Sequence, residues 1–201
     1  MKIVKYDNEE MWLVDRKCKI TGTKLKDLII KRGTQNKIGF YELIADRIAK
    51  ERTEEDPMER GHRLEKEAIE RFTKETGIKM ITDLVMWQRD DDNNIASSPD
   101  GYTEDLTEAL EIKCLSSANH IKAFLTQKIP SEYEEQAIQY FIVNDDLKKL
   151  YIGFYDPRIT SKDFFYLQIK REDIENKIFE YLELEKQILA EVNRIVNELT
   201  F

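Results

Sequence analysis

Ala109-Leu110-Glu111-Ile112-Lys113-Cys114 alternates between apolar and charged side chains at a period of two residues, the spacing of an extended strand. A strand here points Leu110 and Ile112 to one face and Glu111 and Lys113 to the other, so a carboxylate and an ammonium share one pocket. Upstream, Pro99-Asp100-Gly101 is turn-prone, and a strand ending there presents Asp100 at its tip, beside Glu111 on the strand that follows. Two carboxylates and an amine on neighbouring strands suit a magnesium-dependent phosphodiesterase. Magnesium prefers oxygen ligands, keeps several waters, and takes one or two carboxylates together with a substrate phosphate. Asp100 and Glu111 suit that role, and the Ile112 carbonyl completes the protein's share of the shell. Lys113 would orient the attacking water or offset charge developing on the phosphate. The same pattern alone more often describes a solvated surface hairpin, so other residues must decide.

Glu65 is the next such residue. Asp56-Pro57 through Phe72 reads as a helix with Asp56 as N-cap, Pro57 at its first position and Gly77 just past its end. Its apolar stripe contains Leu64, Ala68, Ile69 and Phe72, and Glu65 lies on that stripe, so a buried carboxylate is expected. Its partner is either a cation at the site or an ordinary ion pair with Arg63 or a nearby lysine. A second helix, opened by a Ser131/Glu134 capping box after Pro130 and running through Val143, carries Gln136, Gln139 and Tyr140 at i, i+3 and i+4. These either satisfy one another at the core's edge or hold a phosphate or a water near the metal.

The remaining order of elements is helices near the N-terminus, strands through about 78–89, 95–98, 109–115, 149–155 and 164–170, and a long final helix over 173–199. That is an α/β fold, a mixed central β-sheet flanked by helices, in a single domain over residues 1–201 with no linker or repeat to divide it. No signal-peptide core or membrane-length apolar run is seen, and Cys18 and Cys114 form no framework, so no membrane partner and a reducing cytoplasm are expected. With only His62 and His120 available, Cys114 reads as a buried structural thiol and not a nucleophile. The net charge of −8 opposes a DNA-binding surface. Its distribution answers in part: from Arg16 to Lys37 eight basic residues face Asp27 alone, a local net of +7, leaving −15 for the remainder. Such a run either lines a phosphate-attracting channel or is a solvated helix face.

Taken together, these residues resemble the bacteriophage lambda exonuclease type of recombination nuclease, the YqaJ-like viral recombinases of the PD-(D/E)XK nuclease superfamily. The likeness runs through Glu10-Met11-Trp12 with Arg16 and Ile20-Thr21-Gly22-Thr23, then Gly61-His62-Arg63-Leu64-Glu65 and Ser98-Pro99-Asp100-Gly101. It continues through Leu110-Glu111-Ile112-Lys113-Cys114, Gln136-Ala137-Ile138-Gln139-Tyr140 and Tyr155-Asp156-Pro157-Arg158, in the family's order and spacing. Leu115 departs from the proline of the lambda enzyme, and Arg60 from a tryptophan.

The resemblance implies a restriction-endonuclease-like core and a 5′-to-3′ exonuclease that enters at double-stranded DNA ends, releases mononucleotides and leaves a 3′ single strand. In that family Asp100 and Glu111 would bind Mg2+, with Mn2+ as substitute, and Lys113 would assist the attacking water. Glu65 and Gln136 would support the site, and Arg16 and Thr23 would form a pocket for the 5′-phosphate. It also implies a homotrimeric ring, a single-strand-annealing recombination partner, and a phage- or prophage-encoded protein in the bacterial host cytoplasm. Two other readings stay open: an endonuclease or single-strand nuclease of the same superfamily, and a non-catalytic DNA-end-binding recombination subunit.

Overall fold

The structure, a computed structural model, describes residues 1–16 and 57–200. Its elements are β1 (Lys2–Lys5), α1 (Glu9–Arg16), α2 (Pro57–Thr76), β2 (Val85–Gln88), β3 (Ala96–Ser97), β4 (Gly101–Tyr102) and β5 (Glu108–Lys113). There follow α3 (Ser117–Thr126), a 3-10 turn (Ser131–Tyr133), α4 (Glu134–Val143), β6 (Lys149–Tyr155), β7 (Phe164–Lys170) and α5 (Arg171–Thr200).

The expected mixed sheet is present in the order β4-β5-β6-β7, with β5 and β6 parallel and the outer pairs antiparallel. Parallel neighbours need a long crossover, and α3, the 3-10 turn and α4 supply it. Both faces of β5 and β6 are covered, which is why their sequences are apolar nearly throughout. Leu110, Ile112, Tyr151 and Tyr155 pack with Leu64, Ala68 and Phe72 of α2 on one face. Ala109, Leu150, Ile152 and Phe154 pack with Ile138, Phe141 and Ile142 of α4 and Ile178 and Leu189 of α5 on the other. Burying side chains as large as Leu64 or Phe72 stabilises by roughly 1.5–3 kcal/mol each, so α2 is docked by its stripe.

Three corrections to the sequence reading concern the elements. A separate antiparallel sheet β1-β2-β3 stands beside the central one, and its first strand was not expected. The strand expected over 78–89 is ordered as strand only from Val85, with Ile81 bridging to Tyr102 before it. Neither the 3-10 turn nor α4 has a side-chain cap hydrogen bond: Ser131, held straight after Pro130, begins the turn, so the capping box does not form. Helix α2 continues to Thr76, and Gly77 follows it with φ 74°, its N–H donating to the Thr73 carbonyl at 2.8 Å. That left-handed position suits glycine, as the sequence indicates. The Asp56 cap and most of the basic 16–37 stretch lie outside the described residues.

Candidate active site

Strand β4 is only two residues long, and this shortness creates the site. β4 pairs with β5 through Gly101↔Leu110 and Tyr102↔Ala109, so among the described residues the end of β5 has no strand beside it on that edge. Asp100 fills the place. Its N–H donates to the Leu110 carbonyl at 3.1 Å, and its Oδ2 accepts from the Ile112 N–H at 2.6 Å. In an extended residue the N–H and C=O point to the same side of the strand, so the Ile112 carbonyl faces the edge where Asp100 stands.

Glu111 and Lys113 point to the opposite face from Leu110 and Ile112, as the alternation requires, and meet α4. Glu111 is 5 % exposed, a depth that demands partners for its charge. It has three. Lys113 Nζ donates to Glu111 Oε1 at 2.5 Å, Gln136 Nε2 donates to the same oxygen at 2.6 Å, and the Tyr140 hydroxyl donates to Oε2. Gln136 turns its other end to Lys113, accepting from Nζ at 2.9 Å. Tyr140 also lies 2.9 Å from the Ser98 carbonyl, which ties α4 to the segment leading into Asp100.

These contacts set the charge states. Burial alone would lower Lys113, but the charge and hydrogen bond of Glu111 outweigh it and hold the ammonium above its usual value. The ammonium donates to both Glu111 and Gln136. Burial and repulsion from Glu111 and Glu65 push the Asp100 carboxyl well above the usual carboxylate range, against the Ile112 N–H and Lys113. Crowded carboxylates of this kind are what a divalent cation relieves. Among the described residues no group of three or more His, Cys, Asp or Glu side chains is arranged to hold a metal. The oxygens that could serve such an ion here are the carboxylates of Asp100 and Glu111 and the Ile112 carbonyl, a set that suits magnesium with its retained waters.

Asp100 and Glu65 line a cleft of about 360 Å³ with Glu9, Trp12 and Ser98, and Trp12 Nε1 donates to Ser98 Oγ at 3.2 Å. Glu65 is half-buried where it lines the cleft, not buried as expected, while Leu64 and Ala68 of the same helix go to the core. Of the residues read from sequence, Asp100, Glu111, Ile112, Lys113 and Gln136 come together, with Glu65 facing Asp100. Gln139 does not join them: it is buried, with Nε2 3.4 Å from the Ala96 carbonyl and 3.5 Å from Glu185 Oε2. Arg16 is the last residue of α1, but its side chain and all of Thr23 lie outside the described residues. Cys114 is half-buried against the α2 core and not fully buried, since β5 ends one residue before it.

Two contacts of the site were missed, the Tyr140 bond to Glu111 and one made by Tyr133. The ring of Tyr133 lies under Lys113 Nζ, 4.5 Å from centroid to nitrogen. Tyr133 precedes Gln136 by three residues and Tyr140 by seven, a helical spacing that could have revealed it.

Comparison with known proteins adds the family. The chain is similar to the alkaline exonuclease LHK-Exo of Laribacter hongkongensis, at 25% identity over 95% of this chain and 100% of that one, with a TM-score of 0.67. The same exonuclease in complex with dAMP gives 25% identity, the same coverage and a TM-score of 0.66. A phage related exonuclease from Haemophilus somnus 129PT shares the fold at 15% identity, over 87% of this chain and 96% of that one, with a TM-score of 0.50. Curated protein sequences give no match. The mixed sheet flanked by helices is thus the PD-(D/E)XK-like core of these exonucleases. The model of the YqaJ-like viral recombinase domain matches residues 11–146, from before Trp12 to beyond α4, and the chain belongs to that family.

Proposed function

We propose that the protein is a magnesium-dependent 5′-to-3′ exonuclease, with manganese as substitute, that digests one strand of linear double-stranded DNA from its end. It releases mononucleotides and leaves a 3′ single strand for recombination. The observation that carries this reading is the meeting of Asp100, Glu111 and Lys113 at the open edge of β5. Membership of a viral recombinase family and likeness to an exonuclease that holds dAMP support it.

Asp100, Glu111 and the Ile112 carbonyl would hold the ion. When bound, it supplies Lewis-acid polarisation of the scissile phosphate and a more acidic water. The protein's own residues do the rest. The Ile112 N–H keeps one Asp100 oxygen turned along the strand edge, and Tyr140 and Gln136 keep Glu111 from swinging. Lys113, aimed by Glu111 and Gln136, is a protonated donor placed to orient the attacking water and to offset charge that grows on the phosphate oxygens. Glu65 supports the site from the cleft that it lines with Asp100. Glu9, Glu65 and Asp100 make this cleft acidic, so a phosphodiester approaches only with cationic compensation. Arg16 and Thr23 would receive the 5′-phosphate, a guanidinium and a hydroxyl being suited to that anion.

The test is digestion of linear duplex by Lys113→Ala and Asp100→Ala. Both are expected to lose about 100-fold or more in rate while remaining folded by circular dichroism, the scale of removing a transition-state charge contact. Wild-type rates in either variant would rule this site out.

A further inference from the structure

We propose that Tyr133 is a positioning residue for the Lys113 amine, its ring face holding the ammonium in the direction that two oxygen acceptors leave free. This rests on the exonuclease reading above. A lysine side chain has four rotatable bonds and a round, strongly hydrated head, so hydrogen bonds to Glu111 and Gln136 fix where the nitrogen sits better than how it is approached. The Tyr133 ring closes another side at 4.5 Å, and the Lys113 side chain is left 14 % exposed. A cation over an aromatic face is attracted by the ring quadrupole, most strongly where water is excluded. The contact uses the ring face and not the hydroxyl.

The backbone is built to hold the ring there. Tyr133 ends the 3-10 turn and caps α4 with φ −110° and ψ −1°, its N–H donating to the Pro130 carbonyl at 2.9 Å and the next N–H to Ser131. Tyr133, Gln136 and Tyr140 then present one continuous face to the Glu111 and Lys113 pair. The loop after α3 thereby sets the geometry of the amine, although it contains none of the expected ligands.

Steady-state digestion of end-labelled linear duplex with magnesium tests this, with melting temperature followed in parallel. Tyr133→Phe should stay within about twofold of wild type, whereas Tyr133→Leu should lose roughly tenfold in kcat with KM little changed. Phenylalanines of increasing fluorination at position 133 keep the shape and drain the negative face, so kcat should fall stepwise with each fluorine. The double variant Lys113→Ala/Tyr133→Leu should be no slower than Lys113→Ala alone. A wild-type kcat in Tyr133→Leu, a Phe variant as slow as Leu, or no response to fluorination overturns the role of Tyr133 while an inactive Lys113→Ala leaves the site standing. If Lys113→Ala itself digests DNA at the wild-type rate, the site and this role fall together.

Discussion

Glu111 and Glu185, two of the buried acidic residues, differ in how their charge is met. Glu111 is surrounded by an ammonium, an amide and a phenol, so its charge is matched. Glu185 on α5 is 0 % exposed, has only Gln139 Nε2 at 3.5 Å, and its Oε1 has no hydrogen-bond partner among the described residues. Burial therefore pushes the Glu185 carboxyl up to about 8, with Gln139 and the charge of Arg89 opposing. The folded state holds this proton and the unfolded chain releases it nearer 4.5, so its stabilisation is complete below that pH and is lost as pH rises toward about 8. Glu185→Gln removes the dependence. In urea melts at pH 5 and pH 9, wild type should lose stability relative to the Gln variant by on the order of a few kcal/mol, at about 1.4 kcal/mol per pKa unit. Parallel behaviour of the two proteins would show that Glu185 is ionised in the fold.

At the scale of elements, the two-residue strand β4 decides where the site opens, and Gly101 is its tight point. A Cβ there would stand 2.9 Å from Met80 Cβ, an atom that cannot rotate away, and 3.6 Å from Leu110 Cβ. Gly101→Ala should cost about 1–3 kcal/mol in melts and should slow digestion further, because relieving the contact moves the adjacent Asp100 off the β5 edge. An unchanged melt with full activity would mean that β4 is not the locating element. Much of this frame is legible from residue pattern. Period-two alternation at 109–114 and the 64/68/72 stripe are driven by burial on defined faces, and burial is what such patterns encode. The Ser131 box failed because cap residues report only local preference, and Pro130 and the 3-10 turn override it. β1 escaped notice because four residues are too few for a period, and its pairing with β2 spans more than 80 positions. The Tyr140 bond to Glu111 was likewise hidden: helical spacing puts Tyr140 on a face, but only the crossover brings that face onto β5.

For the molecule as a whole, the candidate site draws on α2, the segment before β4, β5 and α4, so its residues meet only once the three layers are assembled. Among the described residues no helix is long and apolar enough to cross a membrane. We propose that three chains close into a ring around the DNA, that a single-strand-annealing recombination protein receives the 3′ strand, and that the setting is the cytoplasm of a bacterium carrying the phage or prophage. An enclosed strand dissociates slowly, so digestion should be processive. Sedimentation equilibrium at several concentrations should give three times the mass of the 23.9 kDa chain, and a persistent monomer would contradict the ring.

The cleft beside Asp100 is acidic, and we propose that hydrolysis there depends on a divalent cation and on a free DNA end. Labelled linear and closed circular duplexes of the same sequence, incubated with the protein in magnesium and in chelator, put both requirements into one measurement. The account predicts mononucleotides from the linear duplex in magnesium only, with the circle left intact. Mononucleotide release in chelator, or cutting of the circle at a comparable rate, would contradict it.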